Sequence, residues 1–135
     1  MNPRHLSRCR IAVAALLWGA AASAHHGTGV SYDEDSWTTV KGTVTEFRWR
    51  NPHSALFLDV VDEEGHNVNY GIELPSPILM SRSLGWTRAT FTPGDTVEFR
   101  VHPSRTGAPV GVCLSDCLVY VNGERLPDQL PQAEN

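Results

Sequence analysis

From Thr38 onward, apolar and polar residues alternate with a period of two, the pattern of half-buried β-strands. Val40, Gly42 and Val44 share one face of a first strand, after which the apolar phase slips to Phe47 and Trp49. Such a slip predicts a bulge or sharp coil, because one extra residue turns every later side chain to the other face. Asn51-Pro52 predicts a turn, since proline fixes its own φ and pushes the preceding residue out of helix, and His53 leaves that turn. Leu56, Leu58 and Val60 then alternate with Phe57, Asp59 and Val61 in a second strand. Asp62-Glu63-Glu64-Gly65 returns the chain into a third, where Val68, Tyr70 and Ile72 alternate.

The pattern changes at Ser76-Pro77, a cap residue followed by proline at the first helical position, with Ile78, Leu79 and Leu84 ahead of Gly85. A helix of two or three turns is predicted there. Pro93-Gly94-Asp95 is a turn, and Val97, Phe99 and Val101 alternate with Glu98, Arg100 and His102 in a fourth strand. Val110, Val112 and Leu114, continuing from Leu118 to Val121, form a fifth that the cysteines interrupt, and Asn122-Gly123 marks a hairpin. The order β-β-β-α-β-β, with a coiled first strand carrying a glycine, predicts a mainly β chain. The expected architecture is a small five-stranded OB-like barrel with one short helix between strands 3 and 4. A different small barrel or sandwich with the same strand count is the alternative.

Residues 1–24 have a different character. Arg4, Arg8 and Arg10 precede an apolar run over residues 11–22, which ends in Ala22-Ser23-Ala24. That order predicts a cleavable signal peptide, export to the periplasm and a mature chain starting at His25. The run is well short of the roughly 20 residues that span a bilayer, so the processed protein is expected not to be membrane-embedded. Residues 25–37 are rich in Gly, Ser, Asp and His without a period and are expected to be an extended N-terminal arm. The barrel domain is then assigned to residues 38–126 and a disordered tail to 127–135.

Cleavage would leave 111 of the 135 residues, enough for one domain with a modest core. It would remove three of the 11 Lys and Arg and none of the 15 acids, moving the net charge from -4 to -7. An acidic chain without a basic run is not expected to bind nucleic acid. Cys9 would leave with the peptide, and Cys113 and Cys117 would meet an oxidising compartment. They are a disulfide candidate. Joining them requires Leu114-Ser115-Asp116 to turn, because four residues of extended strand span about 13 Å and a bridge needs Cα atoms within about 7 Å. Two independent thiols or a metal pair are the alternatives.

Export also creates the sharpest chemistry. His25 would gain a free α-amine beside its own imidazole, with His26 next in sequence, and an amine plus neutral imidazoles suits copper, zinc or nickel. His53, on a turn near Trp49, is the expected third ligand, with a turn histidine packed on Trp49 as the bland reading. His66 and His102 are expected on solvated faces, and Asp33, Glu34 and Asp35 as a solvated run. Trp37, Trp49, Trp86 and Tyr70 are expected in core and rim packing. No nucleophile, base and orienter converge in any recognised spacing, and no phosphate-cradling glycine loop is present.

Ala24-His25-His26, Gly42-Thr43-Val44, Trp49-x-Asn51-Pro52-His53, Glu73 with Pro77 and Leu79, Gly85-Trp86 and Pro93-Gly94-Asp95-x-Val97 occur together. This combination resembles an uncharacterised family of small exported bacterial proteins, a DUF6152-like domain of unknown function. The resemblance covers nearly all of residues 24–123. It implies a periplasmic OB-like barrel with no transferable activity, and it fits a reading in which His25, His26 and His53 belong to one site. Two departures stand out: Gly27-Thr28-Gly29 follows the histidine pair where an aromatic is the family habit, and the Cys113/Cys117 pair looks peculiar to this chain. The leading expectation is a periplasmic metal-binding protein, with copper as cofactor held by His25, His26 and His53. The alternative is a non-catalytic module binding a protein or small molecule, and a metal-dependent enzyme ranks third.

Overall fold

The computed structural model describes residues 28–114 and 117–127. Residues 1–27, among them the expected signal peptide, His25 and His26, and Ser115, Asp116 and residues 128–135 lie outside the described residues. Among the described residues are seven strands: β1 (Thr38–Arg48), β2 (Ser54–Val61), β3 (Asn67–Leu74), β4 (Thr96–Pro103), β5 (Val110–Val112), β6 (Val119–Val121) and β7 (Glu124–Arg125). A helical turn, α1 (Thr28–Ser31), precedes them, and the helix α2 (Pro77–Leu84) lies between β3 and β4.

The first five strands close into a barrel. β1 pairs with β2, β2 with β3, β3 with β5 in parallel, β5 with β4, and β4 back with β1. Closure leaves none of the five with a free edge along its whole length, and the connectivity is that of an OB-like barrel. Strand β1 makes this possible by serving two neighbours: Thr38 to Thr43 pair with β4, and Thr43 to Arg48 with β2. Its register with β2 shifts between Val44 and Glu46, the bulge implied by the apolar phase slip. Gly42 sits beside Thr43, the residue at which β1 passes from β4 to β2. A Cβ there would stand 2.5 Å from the Asp59 carbonyl oxygen, so only glycine lets β1 pass so close to β2.

The interior is filled by alternate residues of these strands, among them Val44, Leu56, Leu58, Ile72, Val97 and Phe99, each almost completely buried. Burying each such side chain is worth about 1.5–3 kcal/mol. Phe91 and Trp86 add edge-to-face contacts, with ring centroids 5.3 Å apart, and Phe91 meets Phe47 at 5.1 Å. Helix α2 lies beside the barrel with the predicted caps. The Ser76 hydroxyl accepts from the Leu79 amide, Pro77 opens the first turn, and Gly85 closes it at φ 68°. The caps fix the helix rotation so that Met80 is buried and Leu84 half-buried, four residues apart on one face, while Ile78 and Leu79 point outward.

Beyond Gly107 the expected fifth strand is two strands. β5 runs parallel to β3, whereas β6 runs antiparallel to β4, so the chain changes partners between them. A disulfide between Cys113 and Cys117 spans the change, with Cα atoms 5.6 Å apart where a continuous strand would keep them at about 13 Å. Asn122 and Gly123 then adopt φ of 51° and 87°, the doubly left-handed turn that joins β6 to β7.

A second departure concerns His102. Its place among the polar alternates of β4 predicts a solvated face, yet it is only 4% exposed. The segment before β1 covers it: its Nδ1 lies 2.9 Å from the Ser36 carbonyl oxygen, and Trp37 stacks on its ring at 3.8 Å. Arg100 lies over the Trp37 ring, 4.3 Å from its centre.

Candidate functional site: a histidine held by a shared carboxylate

The sheet register places His53 next to Glu73. Ser54 faces Leu74 and Ala55 faces Glu73, so Glu73 lies diagonally across from His53 on the same face of the sheet. Their side chains meet, with His53 Nδ1 2.6 Å from Glu73 Oε1. The other carboxylate oxygen, Oε2, accepts from the Tyr32 hydroxyl at 3.1 Å. One carboxylate thus collects an imidazole from the N-P-H turn and a phenol from the segment ahead of β1. An ionised carboxylate only accepts, so the proton on the His53 contact sits on Nδ1, and in the neutral ring Nε2 carries the lone pair. The imidazole is 57% exposed and open to an incoming ligand.

Tyr32 is brought there by stitching along residues 29–37. Tyr32 bridges to Ser104, the Asp33 amide donates to the Pro103 carbonyl, and the Arg105 amide donates to that of Ser31. Arg105 also donates through Nε to the Gly29 carbonyl and pairs with Asp33 at 3.3 Å. Asp33 is therefore engaged in fastening this segment. Its carboxyl is held below the ordinary value by the Ser36 hydroxyl first and by Arg105 to a lesser degree. Burial, followed by the Glu73 carboxylate, pushes the Tyr32 phenol up to about 12.

Beside His53 and Glu73 opens a cleft of about 400 Å³, whose wall includes Pro52, Leu74, Leu79 and Cys113. The lining is mostly apolar, with the His53–Glu73 pair and Ser76 as its polar members. Ile78 and Leu79 lie exposed on the adjoining helix face.

Of the residues expected to hold a metal, His53 is the one within the described residues; His25 and His26 fall outside them. The ring of His53 meets Glu73, while that of Trp49 packs against Phe47 at 5.6 Å. The four large aromatics form no shared platform: Trp86 is in the core, Trp37 is on His102, and Trp49 and Tyr70 are at the core margin. Sequence reasoning overlooked Glu73 and Tyr32 as site residues. Glu73 was within reach, because the Asp62–Gly65 turn sets the hairpin register that carries it to His53. Tyr32 was not, since no local pattern ties it to a residue 41 positions away.

His66 is exposed as expected, and its Nδ1 lies 3.5 Å from carboxylate oxygens of both Asp62 and Glu64. These three offer ligand atoms within 4.8 Å of one another on the hairpin tip. Asp62 Oδ1 already accepts from the amides of Glu64 and His66, so this grouping closes the turn. Among the described residues no helix is long and apolar enough to cross a membrane.

The family model described as "Family of unknown function (DUF6152)" matches residues 13–113, well over half of the chain. The chain belongs to DUF6152. The DUF6152 match takes in β1 to β5, His53, Glu73 and Tyr32 and ends at Cys113, so Cys117 lies beyond it. No curated protein and no solved structure matches this DUF6152 chain.

Proposed function

We propose that this is a periplasmic metal-binding protein that takes copper(II), with His53 Nε2 as the barrel's ligand and His25 and His26 completing the site from the processed N-terminus. The observation that carries this reading is the Glu73 carboxylate on His53 Nδ1. A carboxylate in that position fixes the tautomer, orients the ring and raises the basicity of the opposite nitrogen, which is how metal-binding histidines are commonly supported. The same carboxylate holds Tyr32, and only five residues lie between Tyr32 and His26 in sequence. An amine and imidazoles favour copper(II) over the other divalent first-row ions.

The test is a copper(II) titration of mature protein with an authentic His25 terminus. Capping the amine with one extra residue or replacing His53 by alanine should each weaken binding by one to two orders of magnitude, roughly the range seen when a metal site loses a supporting group. Unchanged affinity in either variant removes the site. A second reading, a non-catalytic module for a small apolar ligand, draws on the cleft beside His53, whose size is within the usual range for such ligands. Elemental analysis of protein purified from the periplasm separates the two, because stoichiometric metal counts against the plain module.

A further inference from the structure

Among the described residues, no Lys or Arg lines the cleft beside His53, and its one carboxylate is that of Glu73. An anion would meet repulsion there and no cationic side chain. A cation would meet a carboxylate whose two oxygens already accept from His53 and Tyr32. Walls that include Pro52, Leu74, Leu79 and Leu114 would leave either ion poorly solvated. The occupant that fits is therefore uncharged and mostly apolar.

Two polar functions are left to address it. The Nε2 lone pair of His53 accepts, and the carboxylate on Nδ1 strengthens it as an acceptor. The Ser76 hydroxyl accepts from the Leu79 amide at 3.4 Å, which leaves its own proton to donate. Both residues line the cleft. A single hydroxyl group on the ligand can serve the two, donating to Nε2 and accepting from Ser76. Among neutral hydroxyls, that of a phenol is the stronger donor because its proton is the more acidic, and a strengthened acceptor rewards that most. The chain itself already places a phenol on this pair, since the Tyr32 hydroxyl donates to Glu73 Oε2.

We propose that the metal-free cleft binds a small phenol, with the ligand hydroxyl between His53 Nε2 and the Ser76 hydroxyl and the ring against the apolar wall. This rests on the small-ligand reading above and names the ligand class. Glu73 then acts twice, holding Tyr32 through one oxygen and, through the other, the imidazole that receives the ligand. A cleft of about 400 Å³ suits a ligand of modest size, near the lower end of the usual range for small-molecule sites. Copper(II) and the phenol would both use Nε2, so the metal is removed before the ligand is tested.

The experiment titrates p-cresol, and p-xylene with a methyl in place of the hydroxyl, into chelator-treated mature protein at about pH 8, where free imidazole is neutral. p-Cresol should bind about 3–10-fold more tightly, the worth of one hydrogen bond, and should shift the imidazole nitrogen resonances of His53. In His53→Phe, which keeps a flat ring and loses the acceptor, the order should reverse, because the hydroxyl is then buried with a partner missing. Leu79→Arg, at an exposed helix position on the cleft wall, should abolish binding of both ligands while circular dichroism stays that of wild type. p-Xylene binding as tightly as p-cresol to wild type overturns the phenol assignment and leaves the small-ligand reading standing. Binding of neither overturns both. A preference for p-cresol that survives His53→Phe, or binding untouched by Leu79→Arg, puts the ligand elsewhere and also overturns the proposal.

Discussion

The Tyr32 hydroxyl donates to Glu73 across 41 positions of sequence, fastening the segment ahead of the barrel to the carboxylate that also holds His53. The phenol titrates near 12 because burial and the adjacent carboxylate both disfavour its anion. In the unfolded chain it would ionise near the ordinary value of about 10. The folded pKa is the higher one, so this contribution to stability is complete below pH 10 and is lost as pH rises through 12. Screening at the half-exposed ring limits it to the order of 1 kcal/mol. Denaturant melts of wild type and Tyr32→Phe should run parallel below pH 9 and converge toward pH 12. Parallel curves throughout would contradict the contact.

Gly42→Ala should cost about 1–3 kcal/mol, because its new methyl would overlap a backbone oxygen that cannot swing aside as a side chain could. Urea midpoints compare it with Gly65→Ala, where a Cβ meets nothing and only the positive φ is penalised. A smaller loss at Gly42 than at Gly65 would show that β1 can shift to make room.

His102→Ala removes the stacking partner of Trp37 and the contact with the Ser36 carbonyl, at a cost of about 1–3 kcal/mol. The loss should be local first. Limited proteolysis is expected to cut within residues 28–37 before the barrel opens, with a change in Trp37 fluorescence. A cleavage pattern identical to wild type would mean that the other stitches suffice.

Reducing the Cys113–Cys117 bond should lower stability by only about 2 kcal/mol, since the bridge spans a sequence separation of 4 and constrains little of the unfolded chain. Thermal melts with and without phosphine measure it. A loss above about 4 kcal/mol would mean that the bridge organises β5 and β6 directly.

Wherever a rule acts over a few residues, the fold was legible from the sequence. The bulge after Val44, the Ser76-Pro77 start and Gly85 end of α2, and the Asn122-Gly123 hairpin all follow from local patterning. The parallel pairing of β3 with β5 came only by analogy with a barrel type, because nothing near Val110 announces Gly71 as its partner. His102 defeated the alternation rule for a related reason: its burial is supplied by Ser36 and Trp37, 66 and 65 positions earlier in the chain. At the candidate site, His53 announced itself through its turn and Glu73 was recoverable from the register, but the phenol that completes the contact was not.

The closing of β1 against β4 sets an order of events. Thr38 cannot meet Val101 until the chain through β4 is available, and such distant pairings form slowly because a large loop must be closed before they contribute. The anchors of residues 29–37, at Glu73 and from His102 to Arg105, are in place only once that closure has happened. The amino-terminal segment is therefore expected to dock last, onto a finished barrel in which His53 is already held by Glu73. Refolding followed by Tyr32 or Trp37 should therefore lag behind refolding followed by Trp86.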